Sequence, residues 1–370
     1  MKRQRKSATV RLAVETLENR ACPSCSVELV GATLTITGDA ADNSIFILDN
    51  GPGDLQLVCD GTPSSFSEPI DAVVVRTGNG NDFVIAGSFL EGSLASRSWA
   101  LDLGDGDDGA LVDLEGIIDA PISVTVTGGA GVDTIYAATA ALIDSNYRVT
   151  LDGGNDTDFI STFHNGTLNG AMVSTCLGGN GDDLISDFQI FKVHGTFEGH
   201  ADGGNGSDMV EVQLGMIISF DPELPFLVFG FDVATGGQAN YDMTGGDGHD
   251  ALFVNYLGHL DGQLNLRAGG GRGSDELFAI LDIHAESTGC LSAQFLGGHG
   301  DDDMRVRVRS YETEPVEIFP GVFLHGLVAF SDTPAPLSER SITADGGAGF
   351  DTCLHSALVS LLNVEDEQTI

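Results

Sequence analysis

The chain has 370 residues, of which 50 are glycine and 42% are apolar. That is about twice the usual glycine share, with enough apolar material for a core and too much for a chain disordered by composition. The formal charge of −39 excludes nucleic acid as a partner, since neutralising phosphate takes clustered Lys and Arg; it also disfavours anionic lipid, and it attracts cations.

Six of the sixteen basic residues, Lys2, Arg3, Arg5, Lys6, Arg11 and Arg20, lie in the first twenty positions. The start resembles the n-region of an export signal, although Arg11, Glu15 and Glu18 interrupt any apolar stretch. Val14 to Arg20, followed by Pro23 and Ser24, is similar to the short "LE-x-R" leader of bacterial repeat-rich surface proteins. Residues 1–26 are therefore expected to be a leader or sorting segment, and residues 27–370 a single folded unit. No run of eighteen apolar residues occurs, so no membrane span is expected. Cys22 and Cys25 form a C-x-x-C without a second pair nearby, which reads as incidental thiols and not as a zinc site or a disulfide framework.

From residue 77 onward the pattern Gly-Gly-x-Gly-x-Asp recurs, as in Gly128 to Asp133, Gly178 to Asp183, Gly203 to Asp208 and Gly297 to Asp302. Gly38 to Asp42 reads as a degenerate opening copy. The closing aspartates are Asp82, Asp108, Asp133, Asp158, Asp183, Asp208, Asp250, Asp275, Asp302 and Asp351. Five consecutive spacings are 26, 25, 25, 25 and 25. The 42-residue gap before Asp250 fits one turn plus an insertion, and the 49-residue gap before Asp351 fits two turns.

Apolar residues stand two positions after each aspartate, for example Ile135, Ile160 and Ile185, and seven before it, for example Val126, Leu151 and Cys176. Nine before it the trend continues through Val124, Val149 and Tyr241, with Ser174 and Gly199 as exceptions. Apolar sites two apart beside a glycine turn mark strands with one buried face. Each unit is then a strand, a glycine-aspartate turn, a second strand and a return loop. A single unit cannot bury its apolar face, so units stack. The expected fold is all-β, a right-handed parallel β-solenoid (β-helix or β-roll) with about 25 residues per coil.

Two segments break the period: residues 220–237, with Pro222, Pro225 and the run Phe226 to Phe229, and residues 311–340, with four prolines. Apolar runs of this kind are expected to pack as a flap or extra coil and not to stand exposed as binding loops.

The turns carry the functional reading. Glycine lets the backbone approach a ligand closely, the aspartate adds a hard anionic oxygen, and stacking sets turn above turn. Six to eight hard oxygens in flexible geometry suit Ca²⁺ better than Mg²⁺, and zinc would want Cys or His. The pattern resembles the haemolysin-type calcium-binding (RTX) repeat, whose consensus is followed here by an apolar residue two positions on, as in Gly178 to Ile185. The resemblance implies a parallel β-roll holding Ca²⁺ between successive turns in an exported bacterial protein, with the ten closing aspartates as metal ligands. Ligand rows recur every nine residues in that family but once per 25 here, and Asp156 and Arg272 depart from its motif. The expectation is an extracellular or cell-surface protein, structural or adhesive, with calcium ions and a surface polysaccharide or another surface protein as partners.

Other chemistry finds little support. The chain has no His-Glu-x-x-His, no Gly-x-Ser-x-Gly and no phosphate loop. The alternative is a parallel β-helix enzyme, a lyase or epimerase acting on acidic polysaccharide. It would use Arg305, Arg307 and Arg309, which alternate along one strand, although these could equally neutralise Asp301, Asp302 and Asp303.

Overall fold

The computed structural model describes residues 25–51, 53–218, 227–319, 322–333, 335–356, 358–364 and 366–369. The expected leader lies outside the described residues apart from its last two positions, as do Phe220 to Phe226 of the first insertion and Pro320 and Pro334 of the second. The described residues contain no helix, so none long and apolar enough to cross a membrane.

Two walls of parallel strands face each other, joined at one edge by the glycine-aspartate turns. Strands such as Ile122–Ala130, Asn146–Asn155 and Ala171–Asn180 run into the turns and stack in a 13-stranded sheet. Strands that leave the turns, such as Thr134–Ile143, Phe159–Leu168 and Leu184–Val193, stack in the opposite wall. Register follows the sequence period: Val124 lies against Val149 and Ile135 against Ile160. Alternation decides which side chains go inward. Val124, Val126, Ile135, Leu151, Ile160 and Val210 are fully buried between the walls, while Thr125 and Thr150 face outward. In the regular coils the return loop is short, with only Asp144 and Ser145 separating Thr134–Ile143 from Asn146–Asn155.

The interruptions resolve differently from each other. Asp208 and Asp250 stand on adjacent coils, as the one-turn-plus-insertion reading requires. The 49-residue gap is not two turns. Cys290–His299 pairs directly with Glu339–Ala348, and Asp303–Phe319 pairs with Thr352–His355. The excess length is an antiparallel hairpin between Asp303–Phe319 and Val322–Ser331. The first insertion supplies the strand Leu227–Gly230, which pairs with Met209–Ile218 and touches the hairpin at Leu227 and Gly326. The two insertions thus meet over a small apolar cluster of Val228, Leu257 and Tyr311, as a packed flap should.

The N-terminal end differs from the rest. Ser26–Val30 pairs antiparallel with Thr33–Thr37, and an antiparallel meander of Ser44–Asp49, Leu55–Cys59 and Thr62–Phe66 follows. This brings Cys25 to Cys59, and the two form a disulfide. Cys25 is therefore not an incidental thiol; its partner lies 34 residues away and becomes a neighbour only once the meander folds.

Gly199, one of the two exceptions in the apolar column, has a steric cause. Gly199 lies directly under the ring of Tyr241, where a β-carbon would overlap ring carbons. Tyr241 uses that space to reach across the interior and donate its hydroxyl hydrogen to Asp187.

A column of buried carboxylates on the glycine-aspartate edge

All ten closing aspartates stand in one column, each no more than 4% exposed. Their arrangement follows one rule. Oδ1 of each accepts the backbone N–H of the corresponding residue one coil back: Asp108 from Asp82 (2.6 Å), Asp133 from Asp108 (2.9 Å), Asp158 from Asp133 (2.8 Å) and so on to Asp351, which accepts from Asp302 (2.9 Å). The first donor is the N–H of Asn43, bonded to Asp82 at 2.6 Å. The opening copy therefore closes on Asn43, not on Asp42. Asn43 is five residues after Gly38, the spacing of every other copy, whereas Asp42 is exposed.

The second oxygen is different. Oδ2 of Asp108, Asp133, Asp158, Asp183, Asp208, Asp250, Asp275 and Asp302 is buried without a hydrogen-bond donor. From Asp133 onward it folds over the first glycine of its own motif and lies near the carbonyl of the first glycine in the next coil; in the copy that ends at Asp108, Leu103 stands at that first position. At Gly203 the site of an absent β-carbon lies 2.6 Å from Asp208 Oδ2 and 2.5 Å from the Gly245 carbonyl; at Gly245 it lies 2.5 Å from Asp250 Oδ2 and 2.6 Å from the Gly270 carbonyl. In these copies the first glycine is required for room, whereas Thr77 and Leu103 hold that position in the copies that end at Asp82 and Asp108. Two acceptors share each of these spaces with no hydrogen between them.

Electrostatics agrees with the geometry. Burial, reinforced by neighbouring carboxylates, pushes the carboxyls of Asp108, Asp158 and Asp208 up to about 7, against the pull of their backbone hydrogen bonds. Burial likewise raises Asp133, Asp250 and Asp302 to about 6, and Asp82, Asp183 and Asp275 also move upward. A carboxyl left anionic here is held against its own desolvation.

An outer row of side chains was not foreseen. At the position before the closing aspartate, Asp107 accepts the N–H of Val132 (3.0 Å), Asp182 that of Ser207 (2.8 Å) and Asp301 that of Phe350 (2.7 Å). His249 Nδ1 does the same for Ser274 (3.0 Å), so its ring is a turn cap. Asp156, standing where other copies have glycine, holds φ at +77° and accepts the N–H of Gly131. Arg272 pairs with the exposed Asp247 at 3.4 Å, outside the buried column.

What this edge offers a cation is one carboxylate oxygen and one carbonyl oxygen per step. No three motif carboxylates converge. Among the described residues only Cys25, Cys59 and Asp60 bring three side-chain ligand atoms within 4.8 Å of one another, and there both sulfurs are in the disulfide.

Each arginine of the row has a carboxylate beside it. Arg305 pairs with Asp303 (2.8 Å), Arg307 with Asp332 (3.7 Å) and Arg309 with Asp282 (2.6 Å). Asp301 and Asp302 take no part in these pairs. The flap does bring together two histidines that are far apart in sequence. His259 and His284 stack at 4.8 Å beside Tyr311, in a pocket of about 300 Å³. Thr313 Oγ1 lies 3.3 Å from His284 Nε2, whereas His259 Nε2, 3.4 Å from Asp261, makes no hydrogen bond.

No protein-family model, curated protein or solved structure matches the chain.

Proposed function

We propose that the chain is an exported structural β-solenoid that binds Ca²⁺ along its glycine-aspartate edge. The observation that carries this reading is the row of buried Oδ2 oxygens, each without a donor and close to a carbonyl of the next coil. Two acceptors facing each other in a low-dielectric interior need a positive charge between them, as a proton or as a metal ion. The donor set is all hard oxygen, which suits Ca²⁺, and the net charge of −39 concentrates cations at the surface. Asp108, Asp133, Asp158, Asp183 and Asp208 are the preferred ligands, because their coils follow one another without insertion. Asp82, Asp250, Asp275, Asp302 and Asp351 extend the row. The carbonyl of the first motif glycine one coil on would add a second oxygen to each.

The Cys25–Cys59 disulfide fits an oxidising, extracellular setting. The mostly polar outer face of the first wall and the rod-like stacking fit a structural or adhesive role at a cell surface, with polysaccharide or another surface protein as partner. The resemblance to RTX repeats rests on the motif and on this stacking.

A calcium titration of the full chain, stripped first with chelator, tests the proposal. Calcium should raise the melting temperature by linkage and tighten the small-angle scattering profile, and equilibrium dialysis should retain several ions per chain. If calcium is not retained and neither the melting temperature nor the scattering changes, the column is a calcium-independent ladder and the proposal fails.

A further inference from the structure

Two neighbouring interior columns of the second wall change character over a short stretch. Between Val112 and Ala137 on one side and Val212 and Val254 on the other, the first column reads Thr162 and then Asp187. Beside it, between Leu114 and Leu214, stand Thr139, His164 and Gln189. Thr162, His164, Asp187 and Gln189 are all wholly buried. Aliphatic residues serve most other positions of these columns, with Ser88, Tyr256 and His355 as exceptions, and burying a carboxyl among them is costly. A cluster kept at that cost in one place invites a chemical explanation.

The contacts supply one. Asp187 Oδ1 accepts hydrogen bonds from the Thr162 hydroxyl on the preceding coil and from Gln189 Nε2 at 2.5 Å. Its Oδ2 accepts the hydroxyl of Tyr241 from the opposite wall. One carboxylate oxygen thus holds an alcohol and a carboxamide side by side. Gln189 Oε1 and both ring nitrogens of His164 have no partner, and burial pushes His164 down to about 3, so the imidazole is neutral. A hydroxyl, a base in contact with it and an acyl carbon, all shielded from water, are the parts of an acyl transfer.

We propose that Thr162 and Gln189 are joined by an intramolecular ester that ties adjacent coils together. Asp187 takes the hydroxyl proton of Thr162 as Oγ1 adds to Cδ of Gln189. The tetrahedral adduct collapses by breaking the Cδ–Nε2 bond, and Asp187 returns the proton to the leaving nitrogen. Ammonia departs and a new Oγ1–Cδ bond remains. No electrons change hands and no co-reactant is consumed. Tyr241 is a positioning residue that fixes the carboxylate, and it reaches Asp187 only because position 199 is glycine. The apolar walls keep out the water that would hydrolyse the ester.

The intact mass of the denatured full chain tests this directly. It should fall about 17 Da, one ammonia, below the mass of its own sequence with the disulfide counted. Cleavage at Asp182 and Asp183 should release a linked pair of peptides carrying Thr162 and Gln189, which mild alkali separates. Thr162→Val should restore the full mass, and Thr162→Ser should keep the loss. A folded wild-type chain of unshifted mass overturns the proposal. So does a loss of the same size confined to one peptide, as cyclisation at Asn165 or Asn180 would give. Should Thr162→Val not fold, the wild-type mass and the linked peptides still decide.

Discussion

Replacing Asp208 by asparagine separates a carboxylate that merely completes a ladder from one that holds a cation, because the two roles give opposite signs. Asparagine has the same shape. Its Oδ1 keeps the bond from the Asp183 N–H, now 2.8 Å, while Nδ2 takes the place of Oδ2 and donates toward the Gly245 carbonyl. Burial and the neighbouring Asp183 and Asp250 raise the Asp208 carboxyl to about 7, against about 3.9 in an unfolded chain. A raised carboxyl binds its proton more tightly when folded. Its contribution is therefore fully present below the unfolded value and is lost as the pH climbs through the folded one. Above that point ionisation costs at most about 4 kcal/mol for a shift of this size, and relaxation and screening bring it nearer 2 kcal/mol. In chelator at pH 8, Asp208→Asn should therefore raise the melting temperature by about 4 °C, at roughly 2 °C per kcal/mol for a chain of this size. In saturating calcium the same substitution should lower it, since a ligand is gone. The wild-type chain in chelator should melt lower at pH 8 than at pH 5, and calcium should flatten that slope. Differential scanning calorimetry in the two buffers reads every term. An asparagine variant that loses stability equally with and without calcium at pH 8 would refute the reasoning.

Two further substitutions probe the frame around the column. Gly199→Ala places a β-carbon inside the ring of Tyr241 and should cost about 2–3 kcal/mol by overpacking; an unchanged denaturation midpoint would mean that the ring is not seated there. Cys59→Ser opens the loop closed by the Cys25–Cys59 disulfide. It should cost about 3 kcal/mol, matched by reductant on the wild type, while reductant should leave the variant unmoved.

Local patterns carried most of the architecture. The period of 25 and the apolar columns around each aspartate suffice to place strands, turns and inward faces, because a stacked coil repeats its neighbours' environment. What they missed is what spacing does not encode. The opening copy was assigned to Asp42 because a carboxylate was sought there, yet a count of five from Gly38 leads to Asn43, an amide doing the same backbone work. The length of the gap before Asp351 nearly divides into two coils, whereas the run past Asp303 pairs back on itself as a hairpin. Cys59 carries no mark of its pairing with Cys25. Asp187 and Gln189 were legible in principle: they lie four and six residues after Asp183, on the inward parity, where Thr162 and His164 follow Asp158 in the same way. Extending the columns that far would have exposed them. The outer caps at Asp107, Asp182 and Asp301 carry no periodic mark, since other copies place Val132, Ser207 or Ser274 at the same position.

The buried ladder also has a direction. In every rung of this inner column the donor precedes its acceptor along the chain, so the N–H of a coil's closing residue is capped only by the coil made after it. During synthesis, then, the newest coil always presents an amide awaiting its carboxylate, and each coil added locks the one before. Shortening the rod from the two ends is correspondingly unequal. Loss of coils from the C-terminal side bares a neutral N–H that water satisfies, whereas loss from the N-terminal side bares a carboxylate and lets it ionise. Growth and erosion of this rod are vectorial processes, set by which partner of each rung is translated first.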